Sequence, residues 1–118
     1  MQQKRFHLII DLSEVQGDIL KDVDGLANFL KTMPAVIDMH VLKGPEIAIG
    51  LPENPGISGF VIIDFSHISV HTFTKYDEAL VDIFSCKPFD KEKAILATLD
   101  YFRVNRDNVR IKEVWWGE

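Results

Sequence analysis

The sequence predicts an α+β fold, a two-layer sandwich in which two helices pack on one face of a mainly antiparallel sheet. The 118 residues are 47% apolar and 26% charged, which is typical of a globular domain that buries a core without disulfides. Apolar residues recur at helical spacing in two segments, and short apolar runs bounded by turn residues fill the remainder. The resulting order of strand, helix, several strands, helix and strand indicates a single α+β domain over residues 1–118.

The first half of the chain predicts one strand, one helix and two further strands. The apolar run FHLIIDL, at 6–12, indicates the first strand. Apolar residues three and four apart over 17–33 form one helical face, and Pro34 is expected to end that helix. Strands over 36–42 and 46–51 follow, joined by a Lys-Gly-Pro turn.

The second half predicts a loop, four extended runs and the second helix. The loop is LPENPGISG, at 51–59, because it contains two prolines, two glycines and an asparagine. Asp90 is a favourable N-cap, and apolar residues recur at helical spacing after it. The extended runs cover 60–65, 66–73, 80–86 and 108–116. No turn signal separates the first two of these runs.

Composition and charge argue against several classes of protein. The net charge is −5 and the basic residues are scattered, whereas nucleic-acid-binding domains usually carry a basic patch. Cys86 is the only cysteine, so a framework of intrachain disulfides is excluded. No apolar run approaches the roughly 20 residues that cross a bilayer, and the N-terminus lacks the features of a signal peptide. We therefore expect a cytoplasmic protein that binds neither nucleic acid nor membrane.

The segment IDFSHISVHTF, at 63–73, contains the most distinctive polar pattern. His67, Ser69 and His71 alternate along a predicted strand and therefore share one face. A metal site would take the two histidines and Cys86 as ligands, but no carboxylate or second cysteine lies at a characteristic spacing. The residues alone favour an ordinary polar strand face, and no metal site is predicted.

The longer segment GISGFVIIDFSHISVHTFTKYDEALVDIFSC, at 56–86, resembles the core of the bacterial and archaeal S-adenosylmethionine decarboxylases. Their pattern reads approximately G-V-S-G, a short apolar strand, E-S-H-I-S-I-H-T-W-P-E, and then V-D-V-F-T-C. The N-terminal His7 and Asp11 fit more loosely a family segment of the form G-x-H-x-x-x-D. The spacing from Ser66 to the later cysteine agrees without a gap, which is more specific than any single residue.

The resemblance implies an enzyme, a carboxy-lyase that makes its own cofactor. The chain would cut itself between Phe65 and Ser66, and the serine would become a pyruvoyl group. That group forms a Schiff base with a small-molecule substrate and acts as an electron sink during decarboxylation. The family implies S-adenosylmethionine as substrate, polyamine (spermidine) biosynthesis as the context, and a homodimer with sites near the subunit boundary.

The resemblance also assigns roles to individual residues. Ser66 matches the pyruvoyl precursor, Ser58 and His71 match the pair that assists processing, and Cys86 matches the residue that returns a proton to the product. Strict alternation along the strand would place Ser66 and His71 on opposite faces. A β-bulge, or the chain end freed by cleavage, would resolve that difference.

Three positions depart from the family. Phe65 and Lys75 each replace a glutamate, and both are expected to contact substrate. Pro52 falls near the position of an aromatic residue that stacks on adenine. These departures leave three hypotheses open: an enzyme that acts on S-adenosylmethionine with a remodelled pocket, a decarboxylase of a smaller amino acid such as ornithine or arginine, and an uncleaved, non-enzymatic paralogue that serves as a binding or regulatory partner.

Overall fold

The computed structural model describes residues 3–117, which form one six-stranded sheet and three helices. The strands are β1 Arg5–Leu12, β2 Val41–Leu51, β3 Asn54–Ile63, β4 Ser66–Phe73, β5 Glu78–Ser85 and β6 Val109–Trp116. The helices are α1 Gly17–Leu20, α2 Val23–Val36 and α3 Lys91–Phe102, and a 3₁₀ turn at Arg106–Asn108 precedes β6. All neighbouring strands are antiparallel, in the order β2-β3-β4-β5-β1-β6. The predicted α+β class is confirmed.

Aspartates determine where the two longer helices begin. The Asp22 carboxylate accepts a hydrogen bond from the Gly25 N–H at 2.9 Å, and Asp90 accepts one from the Lys93 N–H at 3.1 Å. The cap predicted at Asp90 is therefore present. The single helix expected over 17–33 is two helices, because Asp22 starts α2 after the one turn of α1. The described chain consequently has three helices where the sequence predicted two.

The segment from the end of α2 through β2 differs from the prediction at two prolines. Pro34 lies inside the last turn of α2, which continues to Val36, so no strand begins there. One long strand, β2, replaces the two predicted strands, and Pro45 lies within it. An edge strand tolerates proline, and the pairing of β2 with β3 shifts register between Lys43 and Glu46.

The loop predicted over 51–59 is mostly strand. The turn is confined to Pro52 and Glu53, and β3 begins directly after it. Gly56 is required by a close approach within the sheet, because a Cβ atom there would clash with the carbonyl oxygen of Thr72. Its φ of +141° also favours glycine.

A two-residue turn, Asp64-Phe65, joins β3 to β4 where the sequence shows no turn signal. The backbone N–H of His40 donates a hydrogen bond to the Asp64 carboxylate at 3.0 Å. This hydrogen bond, with a further contact from the His40 imidazole, lowers the pKa of Asp64. A residue distant in the sequence therefore holds the turn.

The sheet has one buried face and one open face. Alternate residues of the central strands pack against the helices and form the core. We call the opposite surface, which no helix of residues 3–117 covers, the open face. Its side chains include His7, Ile9, Glu46, Ala48, Ser58, Phe60, Ile62, His67, Ser69, His71, Leu80, Asp82 and Phe84.

The Tyr101 hydroxyl gives a test of the helical layer. It is buried without a hydrogen-bond partner among residues 3–117, and its ring stacks on Phe29 at 4.8 Å. Burial, followed by the charge of Asp22, raises the pKa of Tyr101 to about 12. Since an unfolded tyrosine ionises near pH 10, the free energy of unfolding should fall as the pH rises above about 10.

The chain has two tyrosines, so a Tyr76→Phe variant isolates Tyr101 for a titration of tyrosinate absorbance. We expect a midpoint near 12. In a Tyr101→Phe variant the alkaline loss of stability should be smaller, and the free energy of unfolding at neutral pH should change by less than about 1 kcal/mol. A midpoint near pH 10 in the folded protein would contradict the burial of this hydroxyl.

Candidate active site

Ser58 and His71 form a hydrogen-bonded pair on the open face. They lie directly opposite each other in the β3–β4 ladder, and Ser58 Oγ lies 2.7 Å from His71 Nδ1. Residues thirteen apart in sequence are therefore adjacent in space. An imidazole hydrogen-bonded to a hydroxyl can accept a proton from a reacting group and return it. We call these two residues the hydroxyl–imidazole pair.

Ser66 follows the Asp64-Phe65 turn and is the first residue of β4. Its φ is +146°, in a region that residues with a side chain rarely adopt, at a cost on the order of 1–3 kcal/mol. The carbonyl oxygen of Phe65 accepts a hydrogen bond from the Cys86 N–H at 3.0 Å. The Phe65–Ser66 bond therefore joins a strained residue to a carbonyl that is polarised by a backbone donor.

Ser85 positions the Cys86 backbone. Its buried Oγ accepts a hydrogen bond from the Lys87 N–H at 2.9 Å and donates one to the Lys87 carbonyl at 2.7 Å. These two hydrogen bonds join the residues before and after Cys86 and hold the turn that contains it. The Cys86 thiol is free and half-buried. We call Phe65, Ser66 and Cys86 the turn group. Sequence reasoning missed Ser85, because a serine at a strand end carries no distinctive signal.

The turn group and the hydroxyl–imidazole pair lie apart within one chain. Ser66 pairs with Ile63 and His71 with Ser58, and the ladder between these pairs is unbroken, so the two sites are about 16 Å apart along the strand. Ser66 also pairs with the buried Ser85 on the helix-facing side. No β-bulge interrupts β4, so the bulge considered from the sequence is absent and the opposite facing of the two sites remains.

Comparison with known proteins identifies the family of this chain. The family model described as S-adenosylmethionine decarboxylase matches residues 6–115. The chain belongs to the S-adenosylmethionine decarboxylase family. It thus shares its sequence pattern with that family over almost its full length.

Two relatives illustrate the extent of the similarity. An S-adenosylmethionine decarboxylase proenzyme from Clostridium botulinum, strain Langeland, is 31% identical over 121 aligned positions, which cover 100% of this chain and 98% of the relative. A proenzyme of the same name from Thermodesulfovibrio yellowstonii is 37% identical over 82 residues, which cover 68% of this chain but only 57% of that relative. The crystal structure of the adenosylmethionine decarboxylase from Aquifex aeolicus VF5 superposes on this chain with a TM-score of 0.72 and 23% identity. The superposition covers 98% of this chain and 91% of the Aquifex chain. The structural match shows the same fold.

Phe65, which the sequence predicts to be a departure from the family pattern, lies beside a cation. The Lys87 ammonium is 5.0 Å from the centre of the Phe65 ring, a cation–π contact. The same ammonium donates a hydrogen bond to the Asp38 carbonyl at 2.9 Å. Lys87 therefore fixes the side chain next to the predicted cleavage site, a contact that no sequence pattern indicates.

The other two predicted departures lie at the far end of β4. Lys75 follows that strand, and its Nζ donates a hydrogen bond to the Glu53 carbonyl at 3.3 Å. Pro52 belongs to the same turn as Glu53. Phe65 and Lys75, both predicted to contact substrate, therefore lie at opposite ends of one strand, and a single chain does not bring them together.

A row of aromatic and charged groups lies beside the turn group on the open face. Nε2 of His7 donates a hydrogen bond to Asp82 Oδ1 at 2.7 Å, and Nε2 of His67 lies 3.9 Å from the same oxygen. His67 is stacked between Phe60 and Phe84, at centroid distances of 5.2 and 5.7 Å. His7 thus joins the open face as part of a histidine–aspartate contact that sequence reasoning did not identify.

Asp11, the other N-terminal residue of the family segment, lies apart from this row and pairs with Arg110 on β6. Within residues 3–117, no group of three or more His, Cys, Asp or Glu side chains could hold a metal ion. In the same part of the chain, none of the helices is long and apolar enough to span a membrane.

Ser85→Ala tests the support of the turn group. Loss of the buried hydroxyl leaves the Lys87 N–H and carbonyl without their partner, so we expect the free energy of unfolding to fall by about 1–3 kcal/mol. Urea denaturation measures this loss, and amide hydrogen exchange at Cys86 should accelerate. Ser69→Ala is the control, because Ser69 is half-buried and makes no side-chain hydrogen bond among the described residues. Equal stability of the two variants would contradict the role of Ser85.

Proposed function

We propose that this chain is a pyruvoyl-dependent decarboxylase that forms its cofactor by cleaving its own Phe65–Ser66 bond. The cut would give chains of 65 and 53 residues. One observation carries the proposal: the carbonyl of Phe65 accepts the Cys86 N–H at 3.0 Å, next to a serine whose φ is +146°. Membership of the S-adenosylmethionine decarboxylase family and relatives named proenzymes support it.

In the proposed cleavage the Ser66 hydroxyl oxygen adds to the Phe65 carbonyl carbon. Negative charge develops on the carbonyl oxygen, where the Cys86 N–H already points, and this donor stabilises it. The C–N bond then breaks as an ester forms between the same two residues. A base removes the α-proton of Ser66, the ester C–O bond breaks, and hydrolysis with release of ammonia leaves the pyruvoyl group. Backbone strain at Ser66 is released when the peptide bond opens.

The hydroxyl–imidazole pair would assist this chemistry from a second copy of the chain. Ser58 and His71 lie about 16 Å from Ser66 along the same strand, too far to act on their own turn group. The open face that carries the pair also exposes Phe60 and Ile62, at 40% and 39%, so it has apolar area to bury. A homodimer with the two open faces together would place the pair of each chain at the turn group of the other.

After cleavage, a pyruvoyl group supplies a carbonyl that bonds the substrate amine and withdraws electrons as carbon dioxide leaves. Cys86 would hold, at Sγ, the proton that is returned to the product. Its thiol is free, and its backbone already contacts Phe65. The turn group therefore contains both the precursor of the cofactor and a proton donor.

S-adenosylmethionine is the first candidate substrate, and polyamine (spermidine) synthesis in the cytoplasm is the expected context. The alternative is a smaller amino acid such as ornithine or arginine. Lys75 and Pro52 favour the alternative, because an ammonium offers no acceptor to the ribose hydroxyls and proline cannot stack on adenine as an aromatic ring does.

Mass spectrometry of the purified protein under denaturing conditions tests the cleavage. We expect two chains that divide between Phe65 and Ser66, the later one with a pyruvoyl group at its N-terminus. Ser66→Ala should leave one intact chain without decarboxylase activity. A wild-type chain that remains intact after long incubation would overturn the proposal and favour an uncleaved binding or regulatory protein.

Co-expression of two inactive variants tests the dimer. His71→Ala keeps its own Ser66 but lacks the imidazole, whereas Ser66→Ala keeps the hydroxyl–imidazole pair. We expect the His71→Ala chain to remain largely intact alone and to be cleaved when it is co-expressed with Ser66→Ala. The control partner is the double variant Ser66→Ala/His71→Ala, which should give no rescue. Absence of rescue by either partner would mean that the pair does not act across the interface.

A further inference from the structure

The open face contains a cavity of about 350 Å³ that includes the hydroxyl–imidazole pair. Its lining includes Ser58 and His71 together with Glu46, Phe60 and Ser69. The positions at which the family binds substrate and which differ here, Phe65, Lys75 and Pro52, do not line it. The cavity thus offers substrate contacts that the family comparison does not assign.

Glu46 supplies the carboxylate of this cavity. It lies directly opposite Phe60 on the neighbouring strand, and Phe60 in turn lies opposite Ser69. The Glu46 side chain is exposed, and within residues 3–117 it takes part in no hydrogen bond or ion pair. A carboxylate without a partner in the described part of the chain therefore faces a cavity next to two groups assigned to the proposed chemistry.

The three side chains of this row suit a positively charged ligand group. The carboxylate of Glu46 can form a charge-assisted hydrogen bond with an ammonium or guanidinium, and the face of the Phe60 ring attracts cations. The Ser69 hydroxyl can accept a further hydrogen bond. A carboxylate on the ligand would be repelled at the same place.

The register also fixes the distance between this row and the hydroxyl–imidazole pair. Ala48 lies opposite Ser58, and Glu46 is two residues from Ala48 on the same strand. Glu46 and Ser58 are therefore diagonal neighbours whose Cα atoms are about 7–8 Å apart. In the proposed dimer the pyruvoyl group of the second chain lies beside His71. A ligand whose α-amino group bonds to it could reach Glu46 with the end of its side chain.

We propose that Glu46 binds the positively charged side-chain group of the substrate and so selects amino acids that carry an ammonium, guanidinium or sulfonium group. This assignment rests on the proposed decarboxylase function. Within the cavity, the Glu46 carboxylate would take the place of the negative charges that the family has at positions 65 and 75.

Ligand binding to a Ser66→Ala chain tests the assignment without any need for cleavage. Arginine, ornithine and S-adenosylmethionine supply the three kinds of cation, and citrulline is the neutral analogue of arginine. Binding is followed by amide chemical shifts at Glu46, Phe60 and Ser69. We expect at least one cation to bind, and arginine to bind more tightly than citrulline. In the double variant Ser66→Ala/Glu46→Gln the cation should bind at least about tenfold more weakly than in Ser66→Ala, because a charged hydrogen bond is lost.

Glu14→Gln is the matched control, since Glu14 is an exposed carboxylate outside the cavity, and it should bind the cation as the parent chain does. Equal binding of arginine and citrulline, equal binding by Glu46→Gln and its parent, or no binding of any cation would each overturn the assignment.

Turnover by the cleaved chain, expressed per pyruvoyl group, then identifies the source of the cation. S-adenosylmethionine tests the adenosyl substrate, and arginine and ornithine test the basic amino acids. For the substrate that reacts, Glu46→Gln should raise KM at least about tenfold and change kcat much less. A fall in kcat alone would contradict a role in binding. Failure of the wild-type chain to cleave overturns the decarboxylase proposal, whereas the binding experiment still decides the role of Glu46.

Discussion

The pairing of β4 with β3 on one side and β5 on the other fixes the position of every candidate group. Its register sets Ser58 against His71 and brings Ser66 to the strand that leads into Cys86. A slip by one residue would turn each side chain to the opposite face. Two contacts oppose such a slip. Gly56 allows β3 to approach the carbonyl of Thr72 closely, and the Thr72 hydroxyl donates a hydrogen bond to the Leu20 carbonyl at 2.8 Å.

The sequence predicts those features that depend on nearby residues. Helical spacing and an aspartate cap locate α3, and the order of apolar runs indicates the α+β class. Prediction was wrong where distant contacts decide the structure. The Asp64-Phe65 turn depends on His40, and Pro45 is accommodated because β2 lies at an edge that local sequence does not reveal.

The candidate site was likewise predicted only in part. The spacing shared with a known family indicated Ser58, His71, Ser66 and Cys86, but only the register separates them into two groups. Ser85 and Lys87 carried no signal, because serine and lysine are common residues. The contact of Ser85 with the Lys87 backbone and that of the Lys87 ammonium with Phe65 depend on the folded turn. Charge is likewise distributed by the fold. Lys87 lies at the turn, while Glu46, which has no side-chain partner among residues 3–117, lies on the edge strand β2 of the open face.

The order of the strands determines whether the chain should fold before or after it is cut. A cut after Phe65 would leave β1, β2 and β3 in one chain and β4, β5 and β6 in the other. Yet β1 lies between β5 and β6, and β3 lies beside β4. The two products would therefore be interleaved across three ladders and would remain together without a covalent link. Two separate fragments would have to meet and thread into each other, a concentration-dependent reaction. Folding of the intact chain is unimolecular, so the topology favours a molecule that folds first and is cut afterwards.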